Sequence, residues 1–262
     1  MKPPLTYYGG KQKLAECIIS MIPEHKIYGE PFFGGGAVFF AKPQSEIEVI
    51  NDSNGELINF YRVLKNDYKK LVREIRSTLH SRESHQIAEL MFKNPQLFNE
   101  IQRAWAIWTL ANQSFASMLG GTWRCDIKDS STAKRLKNKR NNFTDECARR
   151  LEQTQIENND ALKVIKLWDS KDSFFYCDPP YFNSVMGHYK SYTEQDFENL
   201  LQTLSKIKGK FLLSSYPSEI LEKYTKKHKW HTKKIEGMHV SVSLGKQKLK
   251  TEVLTGNYEF NK

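Results

Sequence analysis

Short apolar runs bounded by turn residues alternate along this chain with stretches of helical spacing, a pattern that predicts an α/β fold. Leu14 to Ile22 carries helical apolar spacing and stops at Pro23. Ile27-Tyr28-Gly29 reads as a strand leading through Glu30-Pro31-Phe32-Phe33 into Gly34-Gly35-Gly36, after which Ala37-Val38-Phe39-Phe40 begins a helix. A second strand, Glu48 to Asn51, ends at Asp52; Asn51-Asp52-Ser53-Asn54 also looks like a cap ahead of Glu56 to Tyr61. A short strand around Ile156 precedes Asn159-Asp160-Ala161. Phe174-Phe175-Tyr176 reads as a buried strand ended by Pro179 and Pro180, which cannot continue a sheet ladder. Thr193 with Asp196 makes a capping-box start for the next helix. Phe211 to Tyr216 and Val253 to Tyr258 read as further strands.

The stretch from 66 to 155 is helical in pattern and rich in charge. Phe98 to Leu119 holds Ile101, Ala104, Trp105, Ile107, Trp108, Leu110 and Ala111, which predicts one long helix with a wide buried face and its tryptophans in the core. After Gly120-Gly121 and Thr122-Trp123-Arg124 come Lys128, Lys134, Arg135, Lys137, Lys139 and Arg140, with only Asp126 and Asp129 opposing them. Such a run is commonly a solvated surface. The net charge of +10 over 262 residues changes that picture, because it favours a polyanionic partner and makes the run a candidate phosphate contact. Cys17, Cys125, Cys147 and Cys177 are widely spaced, which indicates neither a zinc site nor a disulfide framework and suits a reducing cytoplasm. Neither a signal peptide nor a membrane span is expected.

The candidate chemistry sits where strands end. Asp178-Pro179-Pro180-Tyr181 places a carboxylate, two rigid residues and an aromatic ring at the C-terminal edge of a strand, where open α/β sheets bind ligands. Asp178 can accept one hydrogen bond from an exocyclic amino group and a proline carbonyl the other, while Tyr181 can stack on a ring face. The same four residues also suit a plain turn. Gly34 to Gly36 between a first strand and its helix allow close backbone approach, but no Gly-Lys-Ser/Thr closes a P-loop and no strict Gly-x-Gly-x-x-Gly is present. Asp52 stands where an α/β site puts a carboxylate on ribose hydroxyls. Gly9-Gly10-Lys11 ahead of a helix fits either an anion site or an ordinary turn.

Pro4 to Lys11, Glu30 to Gly36, Asn51-Asp52-Ser53-Asn54 and, far downstream, Asp178-Pro179-Pro180-Tyr181 together resemble the Dam-type (alpha-class) DNA adenine N6-methyltransferases, in that order. The resemblance covers roughly residues 3 to 65 and 156 to 258. It implies a Rossmann-like class I methyltransferase sheet (residues 1–65 and 156–262) with an inserted, mainly helical target-recognition domain (66–155). It implies S-adenosylmethionine as cofactor and double-stranded DNA as partner in a cytoplasmic protein. Asp178, Pro179, Pro180 and Tyr181 would be catalytic. The cofactor would meet Tyr7, Gly10, Lys11, Pro31, Phe32, Gly34, Gly35, Gly36, Ala37, Asp52 and Asp178, with Asp160, or Asn159 in its place, at its adenine. Asn112, Arg124, Lys134, Arg135, Lys137, Lys139, Arg140 and Tyr189 would contact DNA, with Gln113 and Asn138 as further base-reading candidates, and the loop from Phe182 to Tyr192 would cover the site. The middle departs from the family's usual recognition hairpin, so its GATC target is not carried over. Methyl transfer to cytosine N4 or RNA guanine N2, and a non-catalytic DNA-binding relative, are the competing readings.

Overall fold

The computed structural model describes residues 1–126, 131–183, 192–241 and 247–260, with backbone alone for 237–241 and 247–250. Helices are α1 (Ala15–Ser20), α2 (Ala37–Ala41), α3 (Gly55–Asn66), α4 (Tyr68–Ser77), α5 (Arg82–Lys93), α6 (Glu100–Gln113), α7 (Ser131–Asn141), α8 (Asp145–Leu151), α9 (Ala161–Leu167), α10 (Glu194–Leu204) and α11 (Glu219–His228). Strands are β1 (Ile27–Glu30), β2 (Ile47–Asn51), β3 (Thr154–Glu157), β4 (Ser173–Cys177), β5 (Lys210–Ser215), β6 (His231–Ser241) and β7 (Gln247–Gly256). They form a seven-stranded Rossmann-like sheet in the order β3-β2-β1-β4-β5-β7-β6. β1 pairs in parallel with β2 and β4, and β4 with β5, whereas β7 runs antiparallel to β5 and β6. Among the described residues, no helix is long and apolar enough to cross a membrane.

Two compact units divide the chain. One comprises Met1–Ser20, Phe33–Gln44 and Asp52–Asn158; the other comprises Met21–Phe32, Ser45–Asn51 and Asn159–Lys262. In the latter, all five residues of β4 are buried, as expected of a strand with parallel partners on both sides. Side-chain alternation sends Phe175 and Cys177 into a cluster with Phe197, Leu200, Leu201 and Leu204 of α10, Phe211 and Leu213 of β5, and Leu221 of α11. Phe174 stacks on Tyr28, with ring centroids 6.0 Å apart. Each of these fully buried phenylalanines stabilises the fold by roughly 1.5–3 kcal/mol. Helix α10 starts with the capping box its sequence predicts: Thr193 Oγ1 accepts the Asp196 N–H, and Asp196 Oδ2 accepts the Thr193 N–H.

In the unit containing residues 52–158, Asn54 caps α3 by accepting the N–H groups of Glu56 and Leu57, and Asn99 with Gln102 forms a capping box on α6. Arg103 of α6 holds Glu56 of α3 through a two-pronged ion pair of 2.9 and 2.6 Å. Trp108 is fully buried and Trp105 donates to Thr78 Oγ1 at 2.7 Å, so both tryptophans belong to the core as the pattern suggested. The predicted single helix from 98 to 119 is shorter. α6 stops at Gln113, and Ala116 and Ser117 adopt left-handed backbone with φ 54° and 58°, which a helix cannot continue. Phe115 N–H bonds the Thr122 carbonyl instead, and Ser114 bridges Trp123.

Strand β6 was not legible in the sequence. It lies at the sheet edge and carries Lys233 and Lys234, the charges with which edge strands resist pairing with other chains. Gly29 of β1 lies opposite Phe175, and a Cβ placed there would come within 2.7 Å of the Phe175 ring and 3.4 Å of Val49. Because that ring is locked in the core, Gly29→Ala is expected to lower the unfolding free energy by about 1–3 kcal/mol. Urea denaturation monitored by circular dichroism reads this, and an unchanged midpoint would contradict the packing.

Candidate active site

The two prolines take the chain out of the sheet directly after β4, because neither can donate to a ladder. Pro179 is buried, and Asp178 and Tyr181 are half-buried. The Tyr181 hydroxyl lies 3.1 Å from Asp178 Oδ1 and also contacts the carboxylate of Glu252 on β7. Its ring meets Tyr216, which follows β5, edge to face at 4.4 Å. Burial, then the negative charges of Asp178 and Glu252, hold the Tyr181 hydroxyl well above its ordinary pKa, so it stays protonated. Beneath it, Tyr176 shares a hydrogen bond of 3.0 Å with Ser214, and Tyr28 donates to Glu30 at 2.5 Å. Cys177 is fully buried, and burial pushes its thiol far up, which leaves it a small apolar residue and no nucleophile. The strand end therefore places the Asp178 carboxylate beside a tethered aromatic ring.

The ends of β1 and β2 in the same unit are joined by Asn51. Its amide donates to the carbonyls of Pro31 at 2.9 Å and Asn159 at 3.1 Å, and its oxygen accepts the Asn159 N–H at 2.8 Å. This fully buried side chain thus fixes two expected cofactor positions, Pro31 and the Asn159-Asp160 turn. Phe32 packs on the apolar cluster of the β4 unit. Asp160 is exposed and caps α9 by accepting the Lys163 N–H at 3.0 Å.

The remaining expected cofactor residues lie in the other unit. Asp52 accepts the Gly34 N–H and the Asn54 N–H, each at 2.9 Å, one on each oxygen. Gly34 and Gly36 take left-handed φ of 50° and 64°, and Ala37 opens α2. A Cβ on Gly35 would meet Tyr7 Cβ at 2.8 Å, and one on Gly36 would meet the Phe33 ring at 2.6 Å. The glycines are therefore demanded by the packing of Tyr7 and Phe33 against the loop. Tyr61 donates to the Gly34 carbonyl at 2.8 Å and holds the loop from the α3 side. Gly10 sits in a turn closed onto the Tyr7 carbonyl, and Lys11 Nζ reaches the Gly9 carbonyl at 3.2 Å.

The basic run divides between faces of α7. Arg135 and Lys139, one turn apart, are half-buried, while Lys134, Lys137 and Asn138 are exposed. Burial and then the like charge of Arg124 push Arg135 down; burial, Arg135 and Lys2 do the same to Lys139. Asp126 is engaged in holding the start of α7 through the backbone and hydroxyl of Thr132. Lys137, Arg140, Asn141 and Arg76 of α4 line an open cavity of about 500 Å³. Asn112 is turned inward, its amide donating to the Trp108 carbonyl at 2.8 Å, and Gln113 is fully buried. Arg124 is half-buried. Tyr189 and Lys128, and the cover loop at 184–191, lie outside the described residues. Sequence reasoning missed Glu252, Asn51 as a tie between strand ends, and Arg76, and took Tyr216 only as the end of a strand. A lone acid beside Val253-Leu254 in a predicted strand was the available signal for Glu252.

A Rossmann-like sheet with an Asp-Pro-Pro-Tyr exit from β4 is the frame of a methyltransferase. The family model for D12 class N6 adenine-specific DNA methyltransferases matches residues 7–238, and the chain belongs to that family. The Type II methyltransferase M1.LlaDCHI of Lactococcus lactis subsp. cremoris is 29% identical over 285 residues, covering 98% of this chain and 96% of its own. M.MjaIII of Methanocaldococcus jannaschii is 28% identical over 225 residues, 76% of each chain. The DNA N-6-adenine-methyltransferase of Escherichia phage P1 is 34% identical over 110 residues, 41% of this chain and 14% of its own.

Burial raises the Asp52 carboxyl above the ordinary aspartate value, with the Asn54 and Gly34 N–H groups partly offsetting it. A raised folded value means that the native state binds this proton more tightly than the unfolded chain. The associated stability is fully present below the unfolded pKa and lost as pH rises through the folded one. Asp52→Asn should remove this component, so that unfolding free energies measured from about pH 3 to pH 7 shift progressively in favour of the variant as pH rises. A difference independent of pH would contradict the assignment.

Proposed function

We propose that this protein transfers a methyl group from S-adenosylmethionine to the N6 amino group of adenine in double-stranded DNA. The observation that carries the reading is the end of β4, where Asp178 and the Pro179 carbonyl follow a fully buried strand. An adenine in a duplex hides its amino group, so it would be flipped out at a cost of about a few kcal/mol. Asp178 and the Pro179 carbonyl accept the two N6 hydrogens, which turns the nitrogen lone pair out of the ring plane and toward the methyl donor. As N6 gains positive charge, the Asp178 carboxylate stabilises it, and the surplus proton leaves to water. Tyr181 offers its ring face to the base.

The chain's residues fit the cofactor. Asp52 spends one lone pair of each oxygen on backbone N–H groups and keeps the others for hydroxyls of a ribose. Tyr7, held against Gly34 and Gly35, and the loop through Ala37 suit its methionine part, with Gly10, Lys11, Pro31 and Phe32 beside it and Asp160 or Asn159 at its adenine. When bound, the group supplies an electrophilic methyl on a sulfonium. Residues 66–155 serve target recognition in this reading, with Lys134, Arg135, Lys137, Lys139 and Arg140 on phosphates and Arg124 and Tyr189 as further DNA contacts; Asn112, buried with its amide on the Trp108 carbonyl, is not among them. A cytoplasmic setting beside its DNA suits this work, and the Type II names of the relatives support a place in restriction-modification.

Cytosine N4 and RNA guanine N2 are the competing acceptors, and the family match favours adenine. A non-catalytic relative would still bind DNA but transfer no label. Asp178→Ala is expected to reduce methyl transfer by about two to three orders of magnitude while leaving much of the cofactor affinity, measured by label transfer and equilibrium dialysis. Turnover close to wild type in that variant would remove the assignment. Replacing Arg135 and Lys139 together by alanine should weaken DNA binding and lower the slope of log affinity against log salt by about 2. Fluorescence anisotropy across salt concentrations checks it, and an unaltered slope would take both residues off the phosphates.

A further inference from the structure

We propose that the open cavity between α4 and α7 is a phosphate seat for the DNA backbone, in which Arg76 makes a contact that the sequence pattern did not single out. The proposal rests on the reading of this protein as one that acts on duplex DNA.

Arg76, in the last turn of α4, and Lys137, Arg140 and Asn141 of α7 line a space of about 500 Å³. Three cations and one amide face it, and among the described residues no acidic side chain lines it. None of the three cations takes part in an ion pair among the described residues, although acids are paired elsewhere in the same unit, Asp67 with Lys70 and Glu89 with Lys93. Like charges that share one space repel, and an anion between them removes that cost. Cations in the last turn of a helix also answer its dipole, which accounts for Arg76 and Arg140 taken singly. It accounts for neither Lys137, a full turn before the end of α7, nor the meeting of both helices' cations at one opening. Arg140 is held ready: one guanidinium N–H donates to the Thr78 carbonyl at 2.7 Å, and the Thr78 hydroxyl is itself fixed by Trp105 and the Glu74 carbonyl. The other N–H groups of that planar fork suit phosphate oxygens. The backbone argues against a small free phosphate. Such anions are cradled by N–H groups at a helix N-terminus, whereas α4 and α7 both bring their C-terminal ends here. Attraction comes from side chains alone and the space is open, which fits a charged strand passing over it.

Fluorescence anisotropy with a labelled duplex of mixed sequence, repeated across salt concentrations, tests the seat. Arg76→Ala should weaken binding roughly 3- to 10-fold and lower the slope of log affinity against log salt by about 1, the share of one phosphate contact. Arg76→Lys keeps the charge and should restore most of the slope. Because Arg76 is exposed, the melting temperature and the affinity for S-adenosylmethionine should stay close to wild type in both variants. Arg62→Ala removes an exposed charge of α3 that does not line the cavity, and it should change the slope little. An unaltered slope in Arg76→Ala, an equal loss in Arg62→Ala, or release of the duplex by inorganic phosphate at fixed ionic strength would each overturn the seat. A wild-type protein whose binding to duplex shows no salt dependence would instead remove the DNA reading, and the seat with it.

Discussion

A strand buried along its whole length has to dispose of its last backbone groups, and β4 does so by leaving the sheet through two consecutive prolines. Everything chemical in the reading depends on that exit. Phe175 and Cys177 anchor one face of the strand in the apolar cluster of α10, α11 and β5, and Phe174 and Tyr176 anchor the other. The residue that follows cannot wander, because the strand before it and the ring constraints after it leave few soft torsions. Asp178 is thus a carboxylate on a rigid mount, which is what a group must be to align a weakly nucleophilic amine. Loop-borne carboxylates with free torsions would lose this orientation to entropy.

Polar groups around the mount are arranged by the same economy. Tyr28, Tyr176 and Tyr181 are each held with their hydroxyls on a nearby oxygen, and burial together with neighbouring acids keeps all three protonated. They can donate hydrogen bonds and cannot become charged near neutral pH. Asn51 plays the matching part at the ends of β1 and β2, where its buried amide bonds two carbonyls and one N–H. In the other unit, Asp52 spans the glycine loop and the start of α3 in the same way. Each expected ligand position is therefore backed by an interaction that does not involve the ligand.

Much of this was legible in the sequence because the signals are local. Two prolines after Phe174-Phe175-Tyr176 announce a strand end; three glycines before an apolar run announce a tight loop into a helix; Thr193 and Asp196 announce α10. What stayed hidden depends on partners far along the chain. Glu252 looks like an ordinary strand acid until Tyr181, 71 residues earlier, is brought to it. Asn51 reads as part of a helix cap until Asn159 arrives, 108 residues later. The glycines of the loop, expected to let a ligand approach the backbone, also make room for Tyr7 and Phe33. The helix through Leu119 ends early for a reason no periodicity carries: left-handed backbone at Ala116 and Ser117, tied by the pairing of Ser114 with Trp123.

The central claim is that the end of β4 presents an adenine amine to a methyl donor. Its most direct measurement is nucleoside analysis of duplex DNA incubated with the protein and tritiated S-adenosylmethionine, digested to completion and separated by chromatography. The account predicts that the label elutes with N6-methyladenosine of the deoxy series. Label on cytosine, label only on RNA, or no label on any base would contradict it.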